Sequence, residues 1–137
     1  MGNKKTIFMV LATLIALSAA GLLIAQNSQQ GVAFGTLTSK ELAIALDKKD
    51  FFFINVHVPY EGEIKNTDVF IPYDQMSANL DKLPQDKNEK IVLYCRSGRM
   101  SEIAAKELAK FGYTNISHLG GGMIDWEKNG YEIIKNK

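Results

Sequence analysis

Apolar runs of strand length alternate with stretches of helical periodicity along most of this 137-residue chain, and no other feature constrains its fold as strongly. The strand candidates are 51–56 (FFFINV), 69–73 (VFIPY), 91–94 (IVLY) and 115–119 (NISHL). The first and third are almost continuously apolar, which is typical of strands that are covered on both faces. Strands that alternate with helices predict a mostly parallel sheet with helices on both of its faces.

Helices are predicted over 38–48 and 74–83, a third is predicted to begin after the loop 96–100 and to end before Gly112, and a fourth is predicted over 123–130. Thr38 and Glu41 have the spacing of a capping box at the start of the first helix, and Asp74 is placed to cap the second. The apolar face of the third helix is predicted to contain Ile103, Ala104, Leu108 and Phe111. Gly112 then follows as a stop signal.

The first 25 residues differ from the rest of the chain. Lys4 and Lys5 precede a stretch from Thr6 to Ala25 that carries no charge. As a helix this stretch would be about 30 Å long, which matches the hydrocarbon core of a bilayer. We therefore expect 1–25 to be a signal-anchor that contacts the membrane through 7–25, or alternatively a cleaved signal peptide.

The two interpretations of this segment differ in its fate but agree on topology. Small residues at 18–20 would suit cleavage, but cleavage there would leave the apolar sequence GLLIA at the new N-terminus, so the anchor is preferred. Either interpretation places the following domain on the extracytoplasmic side, as a membrane-anchored, secreted or periplasmic domain. Residues 26–36 are polar and lack periodicity, and we predict that they form a linker.

Composition excludes several classes of function. Hydrophobic residues make up 46% of the chain and charged residues 23%, which is near the globular average, so a packed core is expected. The net charge is +1 and the basic residues are scattered, which argues against a nucleic-acid partner. With Cys95 as the single cysteine, the chain can form neither an internal disulfide nor a four-cysteine metal site. No metal or other cofactor is predicted.

Cys95 stands between the strand 91–94 and a helix, at the start of the sequence CRSGRMS. Ligands of open α/β sheets bind beyond the carboxyl ends of the strands, where this loop is expected. Its backbone amides would converge as the helix begins, and such amides attract an anion or stabilise a thiolate. Cys95 is therefore predicted to be the catalytic nucleophile. The predicted substrate-binding residues are Arg96, Ser97, Gly98, Arg99, Met100 and Ser101.

The alternative for Cys95 is a buried structural cysteine, which is the common role of this residue type. That interpretation accounts for the apolar strand but not for the Arg-Ser-Gly-Arg run that follows it. Arg96 and Arg99 add positive charge beside the sulfur, and Gly98 permits a backbone conformation that side chains would forbid. These residues favour the nucleophile over the structural role.

Two motifs together resemble those of single-domain rhodaneses, the thiosulfate sulfurtransferase family. They are YCRSGRMS at 94–101 and the later Leu-x-Gly-Gly-x-x-x-Trp element, which here comprises Leu119, Gly121, Gly122 and Trp126. The resemblance covers about 37–131, so 37–137 is interpreted as a rhodanese-like domain. It implies an α/β fold around a central, mainly parallel five-stranded sheet.

The resemblance also implies a chemistry. Cys95 would take sulfane sulfur from a small anionic donor such as thiosulfate, forming a persulfide, and would pass that sulfur to a thiol or cyanide-like acceptor. A protein could also serve as the sulfur acceptor. No cofactor takes part. The interpretation of Trp126 is structural, as an aromatic side chain that packs the last helix onto the sheet, and the glycines are interpreted as turn residues.

The sequence departs from the family pattern near the second strand and in the loop. Asn55-Val56-His57 replaces the usual Asp-x-Arg, so the usual ion pair is missing. The second loop arginine of many relatives, expected at Met100, comes one residue earlier as Arg99. His57 could act as a proton donor, but an ordinary structural hydrogen bond is the preferred interpretation, and His118 is interpreted as structural.

Three other functions are alternatives to sulfur transfer. Cysteine phosphatases need Cys-x5-Arg, but that arginine position is occupied by Ser101. A thiol–disulfide oxidoreductase would normally carry a second cysteine, as in Cys-x-x-Cys, and Cys95 has no such companion. A non-catalytic rhodanese-like module, or a persulfide carrier that docks with a partner protein, remains open.

Overall fold

A computed structural model describes residues 33–135 of the chain. The strands are β1 (Gly35–Leu37), β2 (Phe52–Asn55), β3 (Val69–Phe70), β4 (Ile91–Tyr94) and β5 (Ile116–Leu119). The α-helices are α1 (Ser39–Asp47), α2 (Arg99–Lys110) and α3 (Gly122–Lys128), and a 3₁₀ helix covers Ser77–Lys82. Strands and helices therefore alternate over most of the domain, as the sequence predicts, except that β2 leads to β3 without a helix.

The five strands form one parallel sheet in the order β1-β5-β4-β2-β3. The central strand is β4, which pairs with β2 and β5 on its two sides. Because all strands are parallel, the loops that follow β2, β4 and β5 leave the sheet at the same edge. This arrangement is the five-stranded α/β sheet that the family resemblance implies.

Apolar side chains cover both faces of the sheet. Ile54 and Leu93 point into a core layer that α2 and the 3₁₀ helix complete. Their chain neighbours Phe53 and Val92 point to the opposite layer, which is closed by α1 and α3. Side chains alternate between the two faces of a strand, so both sets must be apolar when both faces are covered. This explains why β2 and β4 are almost continuously apolar in sequence.

The structure confirms the predicted capping box and the predicted role of the tryptophan. Thr38 Oγ1 accepts a hydrogen bond from the Glu41 amide at 3.2 Å, and Glu41 Oε2 accepts one from the Thr38 amide at 2.8 Å. Trp126 is buried in the α1–α3 layer, and its Nε1 donates to the carbonyl of Glu132 at 3.0 Å. Thr38, Glu41 and Trp126 thus have structural roles, because each helps to fix a helix.

The sequence prediction lacks β1 and extends the linker two residues too far. Gly35 and Thr36 fall inside the predicted linker, but in the structure they pair with Ser117 and His118 of β5. This strand is only three residues long and largely exposed, so it produces no apolar run in the sequence. Its position depends on a strand more than eighty residues away, which no local pattern reveals.

The predicted helix over 74–83 is also corrected. The observed helix is of the 3₁₀ type, and its first residue, Ser77, follows Met76, which forms no side-chain capping bond. Asp74 therefore does not cap it. Asn79 interrupts the helix with a φ of −125°, so the spacing of apolar residues that suggested an α-helix is produced by a kinked segment.

The helix after the cysteine begins at Arg99, within the predicted loop 96–100, and its buried face is shifted. Ala104 and Leu108 are buried as predicted, together with Ala105. Ile103, however, is 39% exposed and does not belong to the buried face. Small alanines let α2 lie close to the sheet, so the face that packs is centred on them rather than on the larger isoleucine.

The predicted membrane-contacting segment, 7–25, lies outside the described residues, as does most of the predicted linker. Between residues 33 and 135, no helix is both long enough and apolar enough to cross a membrane.

Candidate active site

Cys95 lies directly at the carboxyl end of β4, the central strand. The amide of Val56, just beyond β2, donates to the carbonyl of Tyr94 at 2.9 Å, so the sheet pairing continues up to the cysteine. Cys95 itself is 1% exposed and belongs to the core layer that α2 closes. The sheet therefore fixes the sulfur at the edge where ligands of α/β proteins bind.

The amide of Gly98 contacts the cysteine sulfur. It donates a hydrogen bond to Cys95 Sγ at 3.1 Å. Gly98 adopts a φ of 95°, which L side chains rarely do, and a β-carbon there would overlap the carbonyl oxygen of Gly120. The loop thus turns its amide towards the sulfur because residue 98 is a glycine and because Gly120 lies against it.

The glycine turn before α3, together with the first residues of α3, binds the cysteine loop. The amide of Met123 donates to the carbonyl of Cys95 at 2.9 Å, and the amide of Ile124 donates to the carbonyl of Arg96 at 3.0 Å. Gly122 has a φ of 61°, and a β-carbon there would overlap the Arg96 carbonyl group. The glycines interpreted as turn residues therefore also form the wall against which the cysteine loop packs.

The start of α2 faces the same loop. Its N-cap residue is Gly98, which has no side chain that could cap the helix. The first amides of any helix have no acceptor within the helix and carry the positive end of its dipole. In α2 these are the amides of Arg99, Met100 and Ser101, three of the residues predicted to bind substrate.

Ser101 is fully buried beneath the sulfur. Cys95 Sγ donates to Ser101 Oγ at 3.6 Å, and Ser101 Oγ donates to the carbonyl of Gly98 at 3.0 Å. The position at which a cysteine phosphatase carries its arginine is thus occupied by a small hydroxyl group inside the core. No guanidinium can close the loop from this position.

The two loop arginines occupy different environments. Arg96 Nε lies 3.6 Å from Glu61 Oε2, and its side chain is 57% exposed. Arg99 is exposed and forms no ion pair with any residue from 33 to 135. The sequence gives no reason to distinguish the two arginines. In the structure, the Glu61 carboxylate partly neutralises Arg96, whereas no carboxylate among residues 33–135 neutralises Arg99.

The loop after β2 carries the residues that depart from the family pattern. Asn55 is buried, and its Nδ2 donates to the carbonyl of Gly62 at 2.9 Å while its Oδ1 accepts from the amide of His57 at 3.0 Å. His57 Nε2 lies 3.1 Å from Glu61 Oε2, and its buried Nδ1 has no hydrogen-bond partner in the structure described. An amide and a histidine therefore organise the turn where relatives place an ion pair.

His118 is nearer to the chemistry than its structural interpretation suggests. Its Nδ1 lies 3.0 Å from Ser101 Oγ, and its Nε2 lies 3.4 Å from Thr36 Oγ1. Burial lowers the pKa of His118, and the Glu102 carboxylate opposes this only in part. Sequence reasoning missed this contact because His118 and Ser101 come from different elements, and no spacing rule joins them.

A shallow cavity opens beside Arg96. Its volume is about 260 Å³. The lining residues are Glu61, Arg96, Met123, Ile124, Glu127, Ile133 and Lys135. Cys95 is not among them, so this cavity adjoins the cysteine loop without containing the sulfur.

These features define the class of protein to which the chain belongs. The profile of the rhodanese-like domain matches residues 38–129, and the chain is a member of the rhodanese-like family. The match begins at the capping box before α1 and ends just after α3, so it includes every element that positions Cys95.

Two curated relatives are about one-third identical to this chain over the residues that align. The tRNA uridine(34) hydroxylase of Erwinia tasmaniensis is 33% identical over 102 residues, which are 70% of this chain and 29% of that protein. The probable adenylyltransferase/sulfurtransferase MoeZ of Mycobacterium tuberculosis is 34% identical over 77% of this chain and 28% of its own length. The chain thus spans less than a third of either relative.

A shorter relative and two solved structures match over most of their own length. A sulfurtransferase of Allochromatium vinosum is 30% identical over 91 residues, which are 64% of this chain and 82% of that protein. A rhodanese-like domain protein from Staphylococcus aureus is 26% identical with a TM-score of 0.63, covering 76% of this chain and 100% of its own. A rhodanese-related protein from Thermoplasma volcanium, 23% identical with a TM-score of 0.64, covers 75% and 100%. The last comparison shows the fold alone.

Proposed function

We propose that this chain is a sulfurtransferase that carries sulfur as a persulfide on Cys95. The observation that carries the proposal is the contact between Cys95 Sγ and the Gly98 amide, at 3.1 Å, where α2 begins. A backbone donor and a helix N-terminus both favour negative charge, so they stabilise the sulfur as a thiolate, the form that attacks. Relatives that are named sulfurtransferases support this choice of chemistry.

The reaction proposed has two steps and needs no cofactor. The Cys95 thiolate attacks the outer sulfur of a donor such as thiosulfate, the new sulfur–sulfur bond forms, and sulfite leaves with the electron pair of the broken bond. A thiophilic acceptor, a thiolate or cyanide, then attacks the outer sulfur of the persulfide. The bond to Cys95 breaks, and Sγ takes the electron pair, so the starting thiolate is restored.

A small anionic donor suits the site better than a bulky one. Cys95 is only 1% exposed, so a donor must present a narrow sulfur atom to the loop. The uncapped amides at the start of α2 and the unpaired charge of Arg99 favour an anion at the same place. Thiosulfate and short polysulfides meet both conditions.

A phosphatase activity is disfavoured by the same geometry. The residue that would have to be an arginine is Ser101, whose hydroxyl is buried and hydrogen-bonded to the Gly98 carbonyl. Neither Arg96, which pairs with Glu61, nor the exposed Arg99 stands at that position. We therefore expect no hydrolysis of a phosphate ester under conditions in which thiosulfate reacts.

A persulfide carrier is the second candidate, and the burial of Cys95 favours it. A sulfur that is 1% exposed would be protected from solvent between loading and delivery. The carrier differs from the enzyme in its acceptor, which would be a docked protein instead of a small thiol or cyanide. Turnover with small acceptors decides between the two.

We also propose that residues 7–25 anchor the domain to a membrane, with the domain on the extracytoplasmic side. The support is the uncharged stretch behind two lysines at the start of the chain. Fractionation of the full-length protein checks this, and membrane association that survives a carbonate wash is expected. A mature protein whose N-terminus lies shortly after Ala20 or Ala25 would show that the segment is a cleaved signal peptide.

The experiment that tests sulfur transfer is mass spectrometry of the protein after incubation with thiosulfate. One added sulfur atom on Cys95 is expected, and its loss on adding cyanide should yield thiocyanate. Because Cys95 is the only cysteine, Cys95→Ser provides a control without any thiol. Failure of the wild-type protein to gain sulfur from thiosulfate, polysulfide and a persulfide donor alike would refute the assignment, as would comparable turnover by the serine variant.

A further inference from the structure

Three buried side chains form a continuous chain of hydrogen bonds that ends at the nucleophile. Cys95 Sγ and Ser101 Oγ are 3.6 Å apart, and Ser101 Oγ and His118 Nδ1 are 3.0 Å apart. The exposures of Cys95, Ser101 and His118 are 1%, 0% and 6%, so solvent does not compete for these bonds. The chain joins β5 to the loop after β4 through the first turn of α2.

The donors and acceptors in this chain can be assigned from their neighbours. Ser101 has one hydroxyl hydrogen, which it donates to the carbonyl of Gly98 at 3.0 Å. His118 is neutral near pH 7 because burial lowers its pKa, so one ring nitrogen donates and the other accepts. Ser101 Oγ is already a donor elsewhere, so Nδ1 of His118 must be the N–H that donates to it. Nε2 is then the acceptor that faces Thr36 Oγ1 at 3.4 Å.

Loss of the thiol proton changes the hydrogen bond that Ser101 must form with the sulfur. A thiolate can only accept hydrogen bonds, so the hydroxyl must turn from the Gly98 carbonyl to the sulfur if it is to stabilise the charge. The Gly98 carbonyl is not left without a partner, because it also accepts the amide of Glu102 at 3.0 Å. His118 can hold Ser101 Oγ in place through Nδ1–H in both states, while the hydroxyl hydrogen changes its target.

We propose that His118 is a positioning residue for the sulfur-transfer reaction. It fixes Ser101 so that the hydroxyl donates to Cys95 Sγ whenever that sulfur carries negative charge. This rests on the proposed function, in which Sγ gains the electron pair when the acceptor removes the outer sulfur. The hydroxyl therefore assists the second step, where charge develops on Sγ, more than the first, where charge leaves it.

Charged groups around the chain of hydrogen bonds must be kept constant in any test. Glu102 and Lys106 of α2 act on His118 through space. Arg96 and Arg99 flank the sulfur in the loop, and His57 with Glu61 lies on the neighbouring loop after β2. Substitutions confined to Ser101 and His118 leave all of these unchanged.

The first measurement is the rate at which iodoacetamide alkylates Cys95 as a function of pH. It needs no sulfur donor, so it stands whether or not the chain proves to be a sulfurtransferase. His118→Phe keeps a ring of similar shape but removes the donor, and Ser101→Ala removes the hydroxyl. Both should shift the midpoint of the alkylation profile upwards by about one pH unit, the size expected for a charge-assisted hydrogen bond.

His118→Asn supplies the rescue. Its side-chain amide can place an N–H near the position of Nδ1, so its midpoint should lie closer to the wild type than that of the phenylalanine variant. The matched control is Ser39→Ala, which removes another buried serine hydroxyl, one that bonds to Asp125 Oδ2 at 2.6 Å and is not part of the chain of hydrogen bonds from Cys95 to His118. That variant should leave the midpoint unchanged.

The second measurement separates the two steps in single-turnover experiments. His118→Phe should slow transfer from the persulfide to cyanide by about tenfold and slow persulfide formation from thiosulfate by less than threefold. In the Ser101→Ala background, the same histidine substitution should add no further effect, because the hydroxyl that it positions is absent.

The proposal is overturned if His118→Phe folds and leaves both the alkylation midpoint and the second step unchanged. It is equally overturned if Ser101→Ala shifts the midpoint and His118→Phe adds a full further shift in that background, since the histidine would then act on its own. Should the phenylalanine variant not fold, His118→Asn alone and combined with Ser101→Ala gives the same test of non-additivity. An effect of Ser39→Ala as large as that of Ser101→Ala would assign the shift to general destabilisation and reject the positioning role.

Discussion

Two loops meet at the carboxyl edge of the sheet, and they are held in different ways. The cysteine loop, residues 95–98, is fixed by backbone groups: Met123 and Ile124 donate their amides to its carbonyls, and its turn fits against Gly120. The β2 loop, residues 56–63, is fixed largely by polar side chains, those of Asn55 at the end of β2 and of His57 and Glu61 within the loop, while its far end pairs with Ile134 through the backbone. Backbone contacts predominate around the cysteine loop, whereas polar side chains predominate in the β2 loop.

The difference indicates which part of the site is free to vary. Backbone bonds survive substitution of most residues, so the geometry around Cys95 tolerates different side chains as long as the glycines remain. The β2 loop depends more on polar side chains, so substitution of Asn55, His57 or Glu61 alters its hydrogen bonds or its charge. We infer that the cysteine loop preserves the chemistry and that the β2 loop adjusts which donor is accepted.

The largest effect is expected from Gly98→Ala. A β-carbon at this position overlaps the Gly120 carbonyl oxygen, so the two loops must separate or the turn must change. The free energy of unfolding should fall by more than ~2 kcal/mol, and thiocyanate formation should fall by more than tenfold. Urea denaturation and a cyanide assay measure the two effects.

Gly112→Ala is the matched control for this substitution. Gly112 has a φ of 88°, close to the 95° of Gly98, but no atom lies within 4 Å of its added β-carbon. It should cost only the ~1–2 kcal/mol of an unfavourable backbone conformation and should retain turnover. If the two variants lose equal amounts of unfolding free energy and of turnover, the contact with Gly120 is not the reason why residue 98 must be a glycine.

A smaller but distinct effect is expected from Asn55→Asp, which introduces the carboxylate of the Asp-x-Arg pattern. A carboxylate cannot donate to the Gly62 carbonyl, so this buried pair would consist of two acceptors. We expect a loss of about 2 kcal/mol in unfolding free energy at pH 7. The loss should shrink as the pH is lowered, because a protonated carboxyl group regains the donor.

Asn115→Asp tests whether this loss arises from burial. Asn115 is exposed, and its Nδ2 also donates to a backbone carbonyl, that of Asn88 at 3.3 Å. This variant should change the unfolding free energy by less than ~0.5 kcal/mol. If Asn55→Asp proves as mild as Asn115→Asp, the β2 loop is not held by Asn55.

Arg99→Ala should weaken capture of the donor. Arg99 is exposed and has no carboxylate to neutralise it within the described chain, so its charge is available to an anion. We expect KM for thiosulfate to rise about three- to fivefold with kcat unchanged, and the difference should shrink in high salt. A fall in kcat at constant KM would instead show that Arg99 stabilises the transition state. Lys110→Ala, at the far end of α2, should leave KM unchanged.

The smallest effect, and the one that tests the β2 loop directly, is expected from Glu61→Gln. This change removes the carboxylate that lies 3.6 Å from Arg96 and releases the arginine towards the donor. KM for thiosulfate should fall about twofold, since an exposed ion pair contributes well under 1 kcal/mol. The same change in an Arg96→Ala background should have less effect, and an equal effect there would show that Glu61 acts without Arg96.

The fold was largely predictable because its strands are covered on both faces. Coverage on both faces made β2 and β4 continuously apolar, and the position of Cys95 after β4 followed directly. β1 was not predictable, since Gly35–Leu37 is short and largely exposed and takes its place by pairing with β5. The kink at Asn79 likewise left the apolar spacing of its segment intact while changing the helix type.

Only the part of the site that lies in the cysteine loop and at the start of α2 was predictable from the sequence. The run from Cys95 to Ser101 is continuous in sequence, so its glycine, arginines and helix start could be interpreted together. The bonds of Ser101 to His118 and of Arg96 to Glu61 join residues from separate elements. Such contacts are created by the order of strands in the sheet, which the local patterns do not contain.

The bonds from Met123 and Ile124 to the cysteine loop have a consequence for protein engineering. The carbonyls of residues 95 and 96 face α3, and the amide of Gly98 points the other way, towards the sulfur. The heptapeptide that contains Cys95 therefore does not fix its own conformation and needs a second segment to do so. A scaffold that received CRSGRMS without a glycine turn and helix start to bind those carbonyls would inherit the thiol but not its orientation, so a successful graft must carry two segments.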